Sequence, residues 1–228
     1  MGVSTTGKYK SLDELEDKVA AEWGKEFAKA KGLMNGFIKS HPARLHERPT
    51  RNSKESGRAW PSRRTWDFTQ RAWATAVIIG TDETARDSVV EGCVGAAASS
   101  EFFTYAASAG LPDPTAVLSG SWLPDPSRLD LVIGAYSSMV SYVVDRKAKL
   151  LKLNGMSPAT ASDEVAELGS QAWEAIGKLL HLQLSDVVVP ACKVLGNAGF
   201  GRDNPHPKLK DASKPIFLAL DKMGVHNI

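Results

Sequence analysis

The chain has 228 residues, 43% of them hydrophobic and 24% charged, which suits one large or two small globular domains and excludes wholesale disorder. The formal net charge of +2 hides a split: residues 1–64 carry 14 basic and 8 acidic side chains, and residues 65–228 carry 14 and 18. So small a total argues against a general nucleic-acid coat, while the split allows a basic face on the first third of the chain.

Residues 1–10 read as a flexible leader. Within them, Gly2–Tyr9 nearly matches the phosphate-cradling pattern GxxxxGK[ST], but there is no room for the preceding strand, and Tyr9 stands where a magnesium-ligating Ser or Thr is required. The same residues fit an N-myristoylation pattern, which only a eukaryotic or viral setting could use. Ser11 and Glu14 then form a capping box that opens a long helix. Leu12, Leu15, Val19, Trp23, Phe27, Met34, Phe37 and Ile38 recur at helical spacing, weakened by Gly24, Gly32 and Gly36. His41-Pro42 ends it, and the following Pro42–His46 is read as one further turn.

Glu47–Pro61 is polar and basic, and reads as a loop. A second helix is expected from about Ser62 to Ile79, with Trp66, Trp73, Ala76 and Val77 on one stripe and Gly80 as its stop. Thr81 or Asp82 caps a third helix through Val94, and Ala96–Ala106 continues in helical register. The tetrapeptide LPDP occurs at Leu111–Pro114 and Leu123–Pro126; its flanks differ, so it marks two turns and not a structural repeat. Ser127–Leu153 reads as the longest uninterrupted helix, its basic end suited to a helix C-terminus and closed by Asn154-Gly155. Asp163–Leu182 and Ser185–Leu195 follow, the latter with a kink expected at Pro190. Gly196–Pro207 reads as a mobile segment before a short last helix at about Pro215–Met223.

No alternating β pattern persists. The expected fold is therefore all-α: a multi-helix bundle over residues 11–153 with a helical extension over 154–228. Trp23, Phe37, Trp66 and Trp73 are the expected core of the bundle, and Trp122 and Trp173 pack the later helices.

Chemistry-bearing motifs are scarce. The five histidines form no HExxH, and no nucleophile elbow or Cys–His pairing is present, so neither an enzyme nor a metal site is expected. Cys93 and Cys192 lie in apolar helical contexts without metal spacing, which reads as buried free thiols in a reducing cytoplasm. The longest apolar run, near Ala74–Gly80, is far too short to span a bilayer, so no membrane partner is expected.

The informative segment is Phe37–Trp73. It crowds Lys39, Arg44, Arg48, Arg51, Lys54, Arg58, Arg63, Arg64 and Arg71 against Glu47, Glu55 and Asp67, and carries Trp60, Trp66 and Trp73. Arg63 and Arg64 at a helix start oppose the macrodipole, at a cost of roughly a few tenths of a kcal/mol. A chain that accepts this can be reserving guanidinium groups for an anion, and phosphate suits their forked geometry. A basic solvated loop before an ordinary amphipathic helix explains the same residues. A nucleic-acid-binding module using the 39–71 stretch is a further reading, and a self-associating structural protein another.

The run FIKSHPARLHERP…SGRAWPSRRTWD resembles the region just after the ATPase core of MoxR-type AAA+ ATPases. The later stretches VVEGCVGAAASSEFFTYAA, LPDP and LPDPSRLDLVIGAYSSMVSYV resemble the helical lid of the same group. The likeness spans about residues 20–145, and AWPSRRTWD is its most specific part. It implies a lid-like bundle in which Arg64 serves as sensor 2, the arginine that reaches the γ-phosphate, while Arg63 stands where the family has proline. No phosphate loop, acidic magnesium site or strand to hold them accompanies it. The resemblance thus implies a lid without its motor: no cofactor bound by the chain alone, ATP and magnesium only through a partner ATPase core, and an AAA+ core or a client protein as partner.

Overall fold

The computed structural model describes Tyr9 and residues 11–51, 53–54, 57–153 and 163–225. Ser11 opens the first helix as its sequence predicts: the hydroxyl accepts the Glu14 N–H at 3.1 Å, and α1 runs Leu12–Ser40. Its last turn closes on the His41 N–H donated to the Phe37 carbonyl at 2.8 Å, and a 3₁₀ turn follows at Pro42–Leu45. Beyond the loop come α2 (Arg63–Ile79), α3 (Glu83–Val94, capped by Asp82) and α4 (Ala96–Ala109). Gly95 forms the corner between α3 and α4 with φ 83°, and a Cβ there would lie 2.6 Å from the Ala59 carbonyl oxygen, so only glycine fits.

The second half holds α5 (Pro114–Leu118), α6 (Leu129–Leu153), α7 (Asp163–Leu180), α8 (Ser185–Leu195), a widened turn at Gly196–Phe200, and α9 (Pro207–Lys222). The fold is all-α, with no strand among the described residues. No helix among them is long and apolar enough to cross a membrane.

The architecture is organised around α1 and α6, which lie antiparallel along one another: Gly24 faces Asp145, Gly32 faces Gly134 and Ser138, and Gly36 faces Asp130. One apolar cluster joins α1 to α2–α4 through Met34, Phe37, Trp66, Val90 and Phe102. The other joins α6 to α5 and α7–α9 through Tyr136, Met139, Trp173, Ile176, Phe200 and Leu220. Both clusters are locked by a buried aromatic with a polar tip, the case in which an indole or phenol needs a partner. The Trp66 indole N–H donates to the Arg44 carbonyl at 2.7 Å, and the Trp173 indole N–H to the Phe200 carbonyl at 2.9 Å.

Several expectations are corrected. Among the described residues the longest helix is α1, with 29 residues against 25 for α6. Its glycines do not weaken it as isolated propensity suggests, because they form the surface on which α6 packs. The stretch expected to be mobile from Gly196 begins with a helical turn in which Phe200 is fully buried and Lys147 donates its ammonium to the Ala198 carbonyl. The last helix starts at Pro207, a full two turns before Pro215, because Leu209 and Ser213 are buried on the same face as Ile216 and Leu220. A short helix that no pattern announced, α5, forms between the two LPDP turns on the cap supplied by Asp113. Trp66, Phe37 and Trp173 are buried and Trp122 packs against Tyr136 of α6 as expected, whereas Trp23 and Trp73 are only half-buried. Cys192 is buried, but Cys93 is half-exposed at the edge of its cluster. The Asn154-Gly155 stop and the N-terminal motifs up to Lys8 lie outside the described residues.

Candidate functional site

The α2 N-terminus is held by local bonds written into Ser62-Arg63-Arg64-Thr65. Ser62 Oγ accepts the Thr65 N–H at 3.1 Å and Thr65 Oγ1 accepts the Ser62 N–H at 2.8 Å, a reciprocal capping box. The Thr65 hydroxyl also lies 3.1 Å from the Trp60 carbonyl oxygen, and the Glu47 N–H donates to the Pro61 carbonyl at 3.0 Å. The 47–61 loop is thus pinned at its two ends, with Trp60 edge-on to His46 at 5.4 Å. On this rigid start, Arg63 and Arg64 are both exposed, and neither has a carboxylate partner among the described residues. With the positive end of the helix dipole beside them, and the leading N–H groups that the capping box does not use, they make a cationic corner.

The two arginines have different surroundings. Arg63 borders a 600 Å³ hollow together with Lys39 of α1, Gln70 of α2 and Pro190 of α8. Arg64, about 100° further round the helix, does not border that hollow.

The other basic residues singled out from the sequence are dispersed. Arg44 is a structural cation: its guanidinium makes a bidentate pair with Glu101 of α4 at 2.8 and 2.6 Å and also bonds Glu47. The hydrogen bonds that Arg44 donates to Glu101 and then to Glu47 push its pKa up, and the pair with Arg44 pulls that of Glu101 down. Arg71 pairs with Asp67 at 3.2 Å and covers the Phe27 ring, and Lys39 reaches Asp186 of α8 at 3.6 Å. Arg48 and Arg58 border a second, 770 Å³ hollow between the 47–61 loop and the α3–α4 corner, where Glu47 and Glu91 also lie. Arg51 and Lys54 are exposed on the loop itself. The basic stretch is therefore not one continuous anion-binding face. Its charges were legible, but their carboxylate partners Glu101 and Asp186 lie 57 and 147 residues away in sequence and carry no local signal.

Tyr9, which spoils the phosphate-loop pattern, has a packing role: its hydroxyl donates to the Ile79 carbonyl at 3.0 Å and accepts from Lys18 at 3.3 Å. Among the described residues no group of three or more His, Cys, Asp or Glu side chains is placed to hold a metal ion. Comparison with protein-family models, with curated proteins and with solved structures finds no match to this chain.

Proposed function

We propose that the chain is a non-catalytic helical lid or adaptor of a MoxR-type AAA+ system, separately encoded or a piece of a longer ATPase, with Arg64 as the residue that reads nucleotide held by the ATPase core. The observation that carries the proposal is the pair of exposed, carboxylate-free guanidinium groups on the rigidly capped first turn of α2. A guanidinium fixed at a helix N-terminus bonds phosphate oxygens with little conformational entropy to lose. The motif AWPSRRTWD supplies the family reading, and the capping box keeps the turn defined although Arg63 replaces the family's proline. Arg63 borders the hollow and Arg64 does not, which supports Arg64 as the sensor of the pair.

In this reading the chain acts in the cytoplasm through protein contacts, and ATP with magnesium reaches it only on the partner core. The test is capture of the tagged chain from its native cells, followed by ATPase assays of the purified chain and of any complex recovered. A P-loop AAA+ protein in the complex, with turnover that falls in Arg64→Ala, is the expected result. Turnover by the pure chain that Arg64→Ala abolishes would overturn the reading. So would recovery of nucleic acid alone, with affinity falling steeply as salt rises.

A further inference from the structure

Between α1, α6 and α8 lies a groove that the Arg64 reading does not use. It consists of a 170 Å³ cleft at the α8 end and the 600 Å³ hollow at the α2 end, joined through Asn35, Ile133, Ser137 and Pro190, which border both. Its floor is apolar, built from Ile38, Ile133, Val140, Val187, Pro190 and Val194, and Val194 is 40% exposed. Along α1 the groove extends from Lys31 to Lys39, about 12 Å at 1.5 Å per residue, and it continues onto Pro42 of the following 3₁₀ turn, the length of two to three helical turns in all.

The charges around this floor are of one predominant sign. Lys31, Lys39 and Arg63 stand against a single carboxylate, Asp186. Lys31 and Arg63 have no ion-pair partner among the described residues. Lys39 meets Asp186 at 3.6 Å across the groove, with the two side chains 40% and 73% exposed. A pair so exposed and so screened by solvent contributes little, so an incoming carboxylate can replace Asp186 at little cost.

We propose that this groove is the docking site for an acidic amphipathic helix of a partner protein, its apolar stripe on the floor and its carboxylates on Lys31, Lys39 and Arg63. Three facing helices with an apolar trough between them match the helix-in-groove mode of recognition. The excess of rim cations specifies an acidic occupant and repels a basic one. Nucleic acid fits less well, because the two aromatic side chains that border the groove, Tyr136 and Trp66, are buried at 2% and 3% exposure and present no open ring face on which a base can stack.

The experiment uses the full chain and two fluorescein-labelled peptides of about eleven residues, each with Leu at alternating three- and four-residue intervals. One carries Glu and the other Lys at the remaining positions. Fluorescence anisotropy is expected to detect the Glu peptide, with binding that weakens as salt rises, and to detect no binding of the Lys peptide. Lys31→Glu and Val194→Asp, both at the surface, are each expected to weaken the Glu peptide about tenfold while the circular dichroism spectrum is unchanged. Hydrogen exchange of the bound wild-type chain is expected to slow at side-chain-lining segments 31–39 and 186–194. Equal binding of the two peptides, no binding of the Glu peptide, or indifference to both substitutions overturns the proposal. Displacement of the Glu peptide by single-stranded DNA at equal affinity overturns it as well. Arg64→Ala is expected to leave peptide binding unchanged, so the docking site and the nucleotide reading can fail separately.

Discussion

The backbone-to-backbone contact between α1 and α6 offers a sharp test of how the fold is held. A Cβ at Gly32 would lie 2.4 Å from the Gly134 carbonyl oxygen and 2.7 Å from the Ser138 Cβ. Both are backbone or backbone-proximal atoms that no rotamer change can move aside. To bring such a carbon–oxygen contact to about 3.3 Å the two helices must separate by nearly 1 Å, and a gap of that size forfeits roughly a quarter to a half of each contact's dispersion well. Gly32→Ala therefore costs about 3 kcal/mol of packing, at the upper end of measured overpacking penalties. Alanine's better helix propensity returns about 1 kcal/mol, which leaves a net loss of about 2 kcal/mol. For a chain of this length that is a fall in Tm of about 4–8 °C. Gly92 provides the control, because it sits inside α3 with nothing within 4 Å of its Cβ position. Gly92→Ala keeps the propensity gain without the clash and is expected to stabilise by up to about 1 kcal/mol. Urea unfolding followed by tryptophan fluorescence and by circular dichroism measures both. A neutral or stabilising Gly32→Ala, or a Gly92→Ala that loses more than Gly32→Ala, would refute the account of the α1–α6 contact.

Three further outcomes follow from named groups. Burial disfavours the charged form of Asp113, but Lys25 at 2.7 Å and the Thr115 hydroxyl and N–H outweigh it and hold the carboxyl below its usual range. Its stabilising contribution is then present above the unfolded pKa of about 4 and is lost as pH falls through the lower folded value. Asp113→Ala is expected to cost about 1–2 kcal/mol at neutral pH through loss of the α5 cap, and the gap from wild type is expected to narrow in acid unfolding series below about pH 4. Pro215 is exposed in the interior of α9 and removes one backbone bond there; Pro215→Ala is expected to gain about 2 kcal/mol, the helix penalty of about 3 less about 1 for the freer unfolded chain, read as a higher urea midpoint. Burial pushes the Cys192 thiol up to about 12 while Cys93 is half-exposed; at pH 8 a thiol reagent is expected to label one cysteine in the native chain and the second only on unfolding, with Cys93→Ser abolishing the fast phase.

The helices of the first half were legible where they begin or end on local chemistry. Ser11, Ser62 and Asp82 accept the N–H groups that a helix start leaves orphaned, and Gly80 takes the left-handed conformation that stops α2. The same locality made the cationic corner at Arg63 and Arg64 visible, since both the charges and the cap lie within four consecutive residues. Pro215 misled for the complementary reason. Its lost hydrogen bond is a local cost, while the burial of Leu209, Ile216, Phe217 and Leu220 that outweighs it is gained only against α7 and its neighbours.

What the sequence determined by itself was the helical periodicity, the caps, and the placing of two arginines on the first turn of α2. Tertiary structure decided which charges remain available. Arg44 is neutralised by Glu101, and Lys39 is drawn to Asp186, because packing brings α4 and α8 beside the first third of the chain. It also turned the glycines of α1 from weak helix formers into the contact with α6, and it assembled a cation-rimmed groove from α1, α2, α6 and α8. Propensity and capping act within one turn of helix, whereas charge pairing and groove shape depend on distances between segments that are far apart in the chain.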